Sequence, residues 1–160
     1  MLMENKNKLF STLSTILPLV LAVGFLVFSR TVIQPVRVVG DSMYPTYHDK
    51  QFLFADRLDE NFERFDVVVL KSSNKYLIIK RIIGLPGDTV EVTPEGVKIN
   101  DEFIDDVVDI KIEDIGKYNK VTLKDNEYYV MGDNRNNSSD SRVYGVFSKD
   151  DIIGKIQNKK

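Results

Sequence analysis

Cysteine is absent from the 160 residues and histidine occurs once, at His48. The first absence excludes disulfides, cysteine-ligated metals and a thiol nucleophile. The second leaves no set of histidines to hold a metal, and no cofactor is expected. An excess of one charge is missing as well. Lysine and arginine number 22 against 24 aspartates and glutamates, a net charge of −2, so no strong field points to nucleic acid or to an acidic partner. There is no internal repeat, no low-complexity segment and, after the first 30 residues, no long amphipathic helical pattern. A chain of this length can bury one core and carry an appendage, and is too short for two full globular domains.

The longest apolar feature is residues 9–29, "LFSTLSTILPLVLAVGFLVFS", which hold no charge between Lys8 and Arg30. At a rise of about 1.5 Å per residue such a helix spans roughly 31 Å, matching a hydrocarbon core of about 30 Å. A cleavable secretory signal has a shorter apolar region, about 7 to 15 residues, and ends in a small-x-small site. Residues 16–28 fit that length, but Phe28-Ser29-Arg30 is a poor cleavage site, so a retained anchor is expected. Pro18 and Gly24 are compatible with a membrane helix. Lys6 and Lys8 on one side nearly balance Arg30 and Arg37 on the other. Long following domains cross largely regardless of charge, however, and a short basic tail stays inside. The expected organisation is a cytoplasmic tail over residues 1–8, a single transmembrane helix over 9–29 and an extracytoplasmic domain over 30–160 in the cell membrane.

Beyond the anchor the apolar residues fall in short runs: "VRVV", "QFLFA", "DVVVL", "YLIIKRII", "VEV", "VKI", "YYVMG" and "IIGKI". They are rich in Val, Ile, Phe and Tyr and separated by Gly, Pro, Asn and Asp, which predicts a mainly β domain. "TPEG" reads as one hairpin turn and "IND" before "EFI" as another. Residues 101–126 are the most acidic and least periodic, and are expected to form a small solvated lobe; they lack the ligand spacing of a calcium loop.

In "YLIIKRIIGLPGD" alternation puts Ile78, Lys80 and Ile82 on one strand face and Leu77, Ile79, Arg81 and Ile83 on the other. A lysine between isoleucines has two readings. Its stem can lie on apolar surface with the ammonium in water, or it can sit in a dry pocket that disfavours the charged form and lowers its pKa. The second reading makes a base near neutral pH, which a lone serine hydroxyl needs to become a nucleophile. A serine/lysine pair is a recognised variant of the serine-protease arrangement. "MGDNRNNSSDSRVYG", residues 131–145, reads from composition as a polar loop or as a structured shell around such a lysine. Arg142 with Asp140, or Arg81 with Asp133, are the candidate pairs to lock it, and composition does not choose between them.

Three segments in order, "GDSMYPT" (residues 40–46), "KRIIGLPGD" (80–88) and "GDNRNNSSDSR" (132–142), behind an N-terminal apolar segment, resemble bacterial type I signal peptidases. The likeness is closest to the short Gram-positive form and covers nearly the whole chain after the anchor. It implies a membrane-anchored serine endopeptidase with a signal-peptidase-like β-barrel or sandwich, acting on the signal peptides of exported precursors and cutting after small residues. It further implies Ser42 as nucleophile and Lys80 as general base. Ser138 matches a serine hydrogen-bonded to the lysine amine, Asp140 and Arg142 a structural ion pair, and Asp133 a partner for Arg81. Asp41, Met43 and Pro45 belong to the nucleophile motif. Longer members carry a serine that assists the oxyanion where this chain has Gly40, so the Ser42 N–H and a second donor, from the Gly40 backbone or water, are expected to serve. Rival readings are a self-cleaving repressor-type peptidase, which is soluble, and an inactive homologue, against which the retention of Ser42 and Lys80 argues. Oligomeric state is not legible in the sequence.

Overall fold

The computed structural model describes residues 2–72, 74–105, 108 and 111–157, and within the first helix the side chains of residues 14–26, 28, 31 and 32. The chain divides into two compact units, Met1–Ile33 and Gln34–Lys160.

The first unit is a helix, α1 (Leu2–Val32), with Pro18 inside it. Its large apolar side chains described between residues 16 and 28, among them Leu17, Leu19, Leu21, Phe25 and Phe28, are more than half exposed. Among the described residues no helix is long and apolar enough to cross a membrane. The expected span over residues 9–29 is therefore not confirmed; the side chains of residues 9–13, 27 and 29 lie outside those described.

The second unit is mainly β. One sheet has seven strands in the order β1-β2-β11-β3-β4-β9-β10, where β1 is Ile33–Arg37, β2 Phe52–Asp56, β3 Val67–Lys71, β4 Leu77–Gly84, β9 Glu127–Met131, β10 Phe147–Ser148 and β11 Ile152–Ile156. The other has four, β7 (Glu102–Phe103), β6 (Gly96–Ile99), β5 (Thr89–Thr93) and β8 (Lys120–Thr122), in that order. A short helix, α2 (Ser141–Tyr144), follows β9.

The strand chemistry follows from period-two alternation. In β3 the run Val67, Val68, Val69, Leu70 is buried on both faces: Val67 and Val69 join a cluster with Val36, Met43, Leu53 and Ile156, while Val68 and Leu70 join one with Ile82, Tyr128 and Val130. A third cluster, built on Val90, Val92, Val97 and Ile99, lies with Ile83, Tyr129 and Met131 and includes Ile112 and Leu123. Residues 111–126 are thus not simply a solvated acidic lobe. They contribute β8 and two core side chains to the four-stranded sheet, which already begins at β5. Asp106, Val107, Asp109 and Ile110 of the lobe expected over residues 101–126 lie outside the described residues. Both expected hairpins are present: Thr93 pairs with Gly96, and Asn100 and Asp101, with φ of 53° and 70°, turn β6 into β7.

Candidate active site

Ser42 lies in the turn between β1 and β2. Hydrogen bonds from Tyr44 N–H to the Asp41 carbonyl and from Tyr47 N–H to the Met43 carbonyl shape it. Met43 is 1 % exposed and, with Tyr47, plugs the turn into the first core cluster. Asp41 and Pro45 stay exposed at the surface of the turn. Gly40 has φ +79°, with open space where a Cβ would go, so backbone conformation rather than crowding favours glycine there. Its N–H donates to Asp49 Oδ1 at 3.0 Å, which removes the Gly40 N–H from the expected oxyanion donors. His48 meets the Tyr44 ring edge-on, with centroids 5.4 Å apart.

Lys80 sits in β4 opposite Val68 of β3 and is 3 % exposed. Its Nζ lies 2.8 Å from Ser42 Oγ and 3.0 Å from the Ile79 carbonyl oxygen. Burial pushes its pKa down to about 8, against the opposing pull of Asp140 and Asp133 and with help from the Arg142 charge. Burial prevails because each carboxylate already has its own arginine. Arg142 Nε and Nη2 reach the two Asp140 oxygens at 2.9 Å each, and Arg81 Nε and Nη2 reach those of Asp133 at 2.8 and 2.6 Å. All four side chains are buried. Both candidate pairs therefore form, each bidentate, the geometry in which arginine holds a carboxylate best.

The loop after β9 is fastened between these pairs. Asp140 accepts from the Gly132 N–H at 3.0 Å and caps α2 through the Arg142 N–H, while Ser141 Oγ accepts from Val130 N–H at 2.9 Å. Asp133 also takes the Thr46 hydroxyl, and Arg81 Nη1 donates to the Phe65 carbonyl at 2.7 Å. The Arg81–Asp133–Thr46 chain thus connects the lysine strand, the loop and the serine turn. A Cβ at Gly132 would overlap Ser138 Oγ and the Ser42 carbonyl oxygen, so glycine is what allows these segments to touch.

Ser138 requires a correction. It is brought to this junction, but its buried Oγ makes no hydrogen bond among the described residues, whereas the resemblance implies a bond to the lysine amine. The Lys80 amine is directed instead at Ser42 Oγ and the Ile79 carbonyl. Sequence reasoning also missed Thr46, Gly132 and Asn134, which lie inside the quoted motifs but read there as ordinary turn residues.

Beside Ser42 and Lys80 is a cavity of about 100 Å³ lined by Arg37, Val38, Val39, Met43, Leu77, Ile78 and Ile79. A hydroxyl, an amine that burial makes easier to deprotonate and a small recess walled largely by aliphatic side chains adjoin one another, an arrangement suited to acyl transfer at an extended peptide.

A family model described as signal peptidase, peptidase S26, matches residues 9–159. Signal peptidase I S of Bacillus subtilis (strain 168) is 39% identical, covering 94% of this chain and 90% of its own. Signal peptidase I of Bacillus amyloliquefaciens is 34% identical over 94% of this chain and 89% of its own. The crystal structure of a signal peptidase I from Enterococcus faecalis V583 superposes with a TM-score of 0.51 at 27% identity, covering 61% of this chain and 97% of that one. Since the match runs through the N-terminal apolar segment, the serine turn, the lysine strand and the loop without a break, the chain belongs to the signal peptidase family, peptidase S26.

Proposed function

We propose that Ser42 and Lys80 form the catalytic dyad of a membrane-anchored signal peptidase that cuts exported precursors after small residues. Removal of signal peptides by a serine endopeptidase follows from membership in the family. The dyad assignment rests on one observation, the 2.8 Å approach of Nζ to Ser42 Oγ at a lysine that burial keeps easily deprotonated.

The uncharged Lys80 amine takes the Ser42 hydroxyl proton as Oγ attacks the scissile carbonyl carbon. The resulting oxyanion draws on the Ser42 N–H. Collapse of the tetrahedral intermediate breaks the C–N bond, and the Lys80 ammonium returns its proton to the leaving amine. The same amine then deprotonates a water that attacks the acyl ester, and the proton passes back to Ser42 as its Oγ leaves. Arg81, Asp133, Asp140 and Arg142 keep the dyad's supporting loop in place. The recess beside Ser42 accommodates a small side chain, with Val38, Val39 and the start of β4 forming its walls. An extended substrate pairing with such strand edges presents alternate side chains to the enzyme, which explains a preference for small residues at the first and third positions before the cut.

Residues 9–29 serve as the anchor in the cell membrane, with residues 1–8 cytoplasmic and residues 30–160 extracytoplasmic. Support comes from the uncharged run itself and from the exposed apolar side chains along α1, which suit lipid better than water. Sharing a bilayer with the signal peptide raises the effective concentration of substrate.

The test is cleavage of a precursor by detergent-solubilised protein. Ser42→Ala and Lys80→Arg are expected to be inactive while folded, since arginine keeps the charge but supplies no free amine at neutral pH. Normal cleavage by folded Lys80→Arg protein removes the dyad assignment.

A further inference from the structure

Asn134 grips the serine turn at two successive carbonyls. Its main-chain N–H donates to the Ser42 oxygen at 3.0 Å and its side-chain Nδ2 donates to the Asp41 oxygen at 3.1 Å. Tyr44 N–H reaches the same Asp41 oxygen at 3.1 Å, so both acceptor positions of that carbonyl are filled. The Asp41 C=O and the Ser42 N–H belong to a single planar peptide, and in a trans peptide they point in opposite directions. Holding the oxygen therefore fixes where the N–H is aimed. Hydrogen bonds accepted by the oxygen also polarise the peptide and make its N–H a better donor. Among the described residues no acceptor takes that N–H, whereas the Gly40 N–H nearby is already committed to Asp49.

We propose that Asn134 is a positioning residue for the oxyanion: its carboxamide, by holding the Asp41 carbonyl, keeps the unengaged Ser42 N–H directed at the oxygen that becomes negative in the tetrahedral intermediate. The inference rests on Ser42 being the nucleophile. It concerns the side chain alone, because the main-chain bond from residue 134 to Ser42 survives any substitution there. The free N–H is useful only when an oxyanion forms, so the contribution of Asn134 belongs to the transition state and not to substrate binding.

The full chain in detergent micelles is assayed with a fluorogenic peptide bearing a small-x-small site, and with the boronate of the same peptide, which mimics the tetrahedral adduct. Asn134→Ala is expected to lower kcat by about threefold to tenfold, the effect of one net hydrogen bond, with KM unchanged. Boronate affinity should weaken by the same factor, while thermal stability and the pH dependence of the rate stay as in the parent. Asn134→Asp should be slower than Asn134→Ala at neutral pH, because a carboxylate turns an oxygen with no proton toward the Asp41 carbonyl. An unchanged kcat in Asn134→Ala overturns the proposal. So does a loss that weakens boronate and product peptide equally, or that follows a drop in melting temperature. Ser42→Ala is run alongside. If it is inactive while Asn134→Ala behaves as the parent, only the positioning role falls; if it cleaves normally, the nucleophile assignment falls and this inference with it.

Discussion

Replacing Lys80 with methionine keeps the side chain out to Cε and removes the titrating amine, which isolates what burial does to its charge. Lys80 is 3 % exposed and its pKa falls from 10.5 to about 8. At about 1.4 kcal/mol per pH unit, this fall means that the charged form destabilises the fold by about 3 kcal/mol where lysine is protonated both folded and unfolded. Because the folded pKa is the lower one, the unfolded chain binds more protons between the two values, and stability rises with pH across that window. It is lost again as pH falls through about 8. The methionine variant has no such dependence. Its stability relative to the parent should therefore be highest at and below about pH 7 and decline by about 2–3 kcal/mol on reaching pH 10. Losing the bonds to Ser42 Oγ and the Ile79 carbonyl lowers the variant by about 1–3 kcal/mol, but equally at every pH, so the slope and not the offset is diagnostic. Urea unfolding in detergent followed by far-ultraviolet circular dichroism measures this in a chain without tryptophan. A difference between the two proteins that stays level across the pH range refutes burial as the cause.

The same lowered pKa predicts that kcat/KM rises about tenfold per pH unit below about 8 and levels off above it, as read from initial rates on a peptide substrate. Asp140→Ala leaves the buried Arg142 guanidinium without its carboxylate and the Gly132 N–H without its acceptor. A loss of about 3–5 kcal/mol in unfolding free energy is expected by denaturant titration. Ser138→Ala removes a buried hydroxyl that has no partner among the described residues, so the variant should unfold at or slightly above the parent temperature, by the equivalent of up to about 1 kcal/mol.

The local chemistry of the strands was largely legible in the sequence. Four apolar residues in a row at Val67–Leu70 imply a strand buried on both faces, and Asn100-Asp101 supplies the two left-handed residues of a tight turn. Alternation around Lys80 identified a lysine among isoleucines, but its pairing with Ser42 depends on a turn 38 residues away that is pegged by Met43. Periodicity carries no such distance information. The partnerships Arg81–Asp133 and Arg142–Asp140 escaped a choice on composition because both are real and each neutralises a different carboxylate near the amine. The acidic stretch after residue 100 misled for another reason. Val121 and Leu123 alternate over only three residues and Ile112 stands nine residues earlier, too little for a pattern, and they join the core beside β5, which pairs with β8. Asn134 was hidden in the opposite way, since asparagine in a Gly-Asp-Asn-Arg loop suggests a turn and its carboxamide's target lies 93 residues earlier.

Strand β11 is laid between β2 and β3, although more than eighty residues separate it from β3 in the chain. On the ribosome, then, the first half of the seven-stranded sheet waits with a gap at its middle until residue 156 has been made. Until then Val67 and Val69 of β3 lack Ile156 beside them, so the core cluster that seats Met43, and with it the serine turn, is completed only by the last strand.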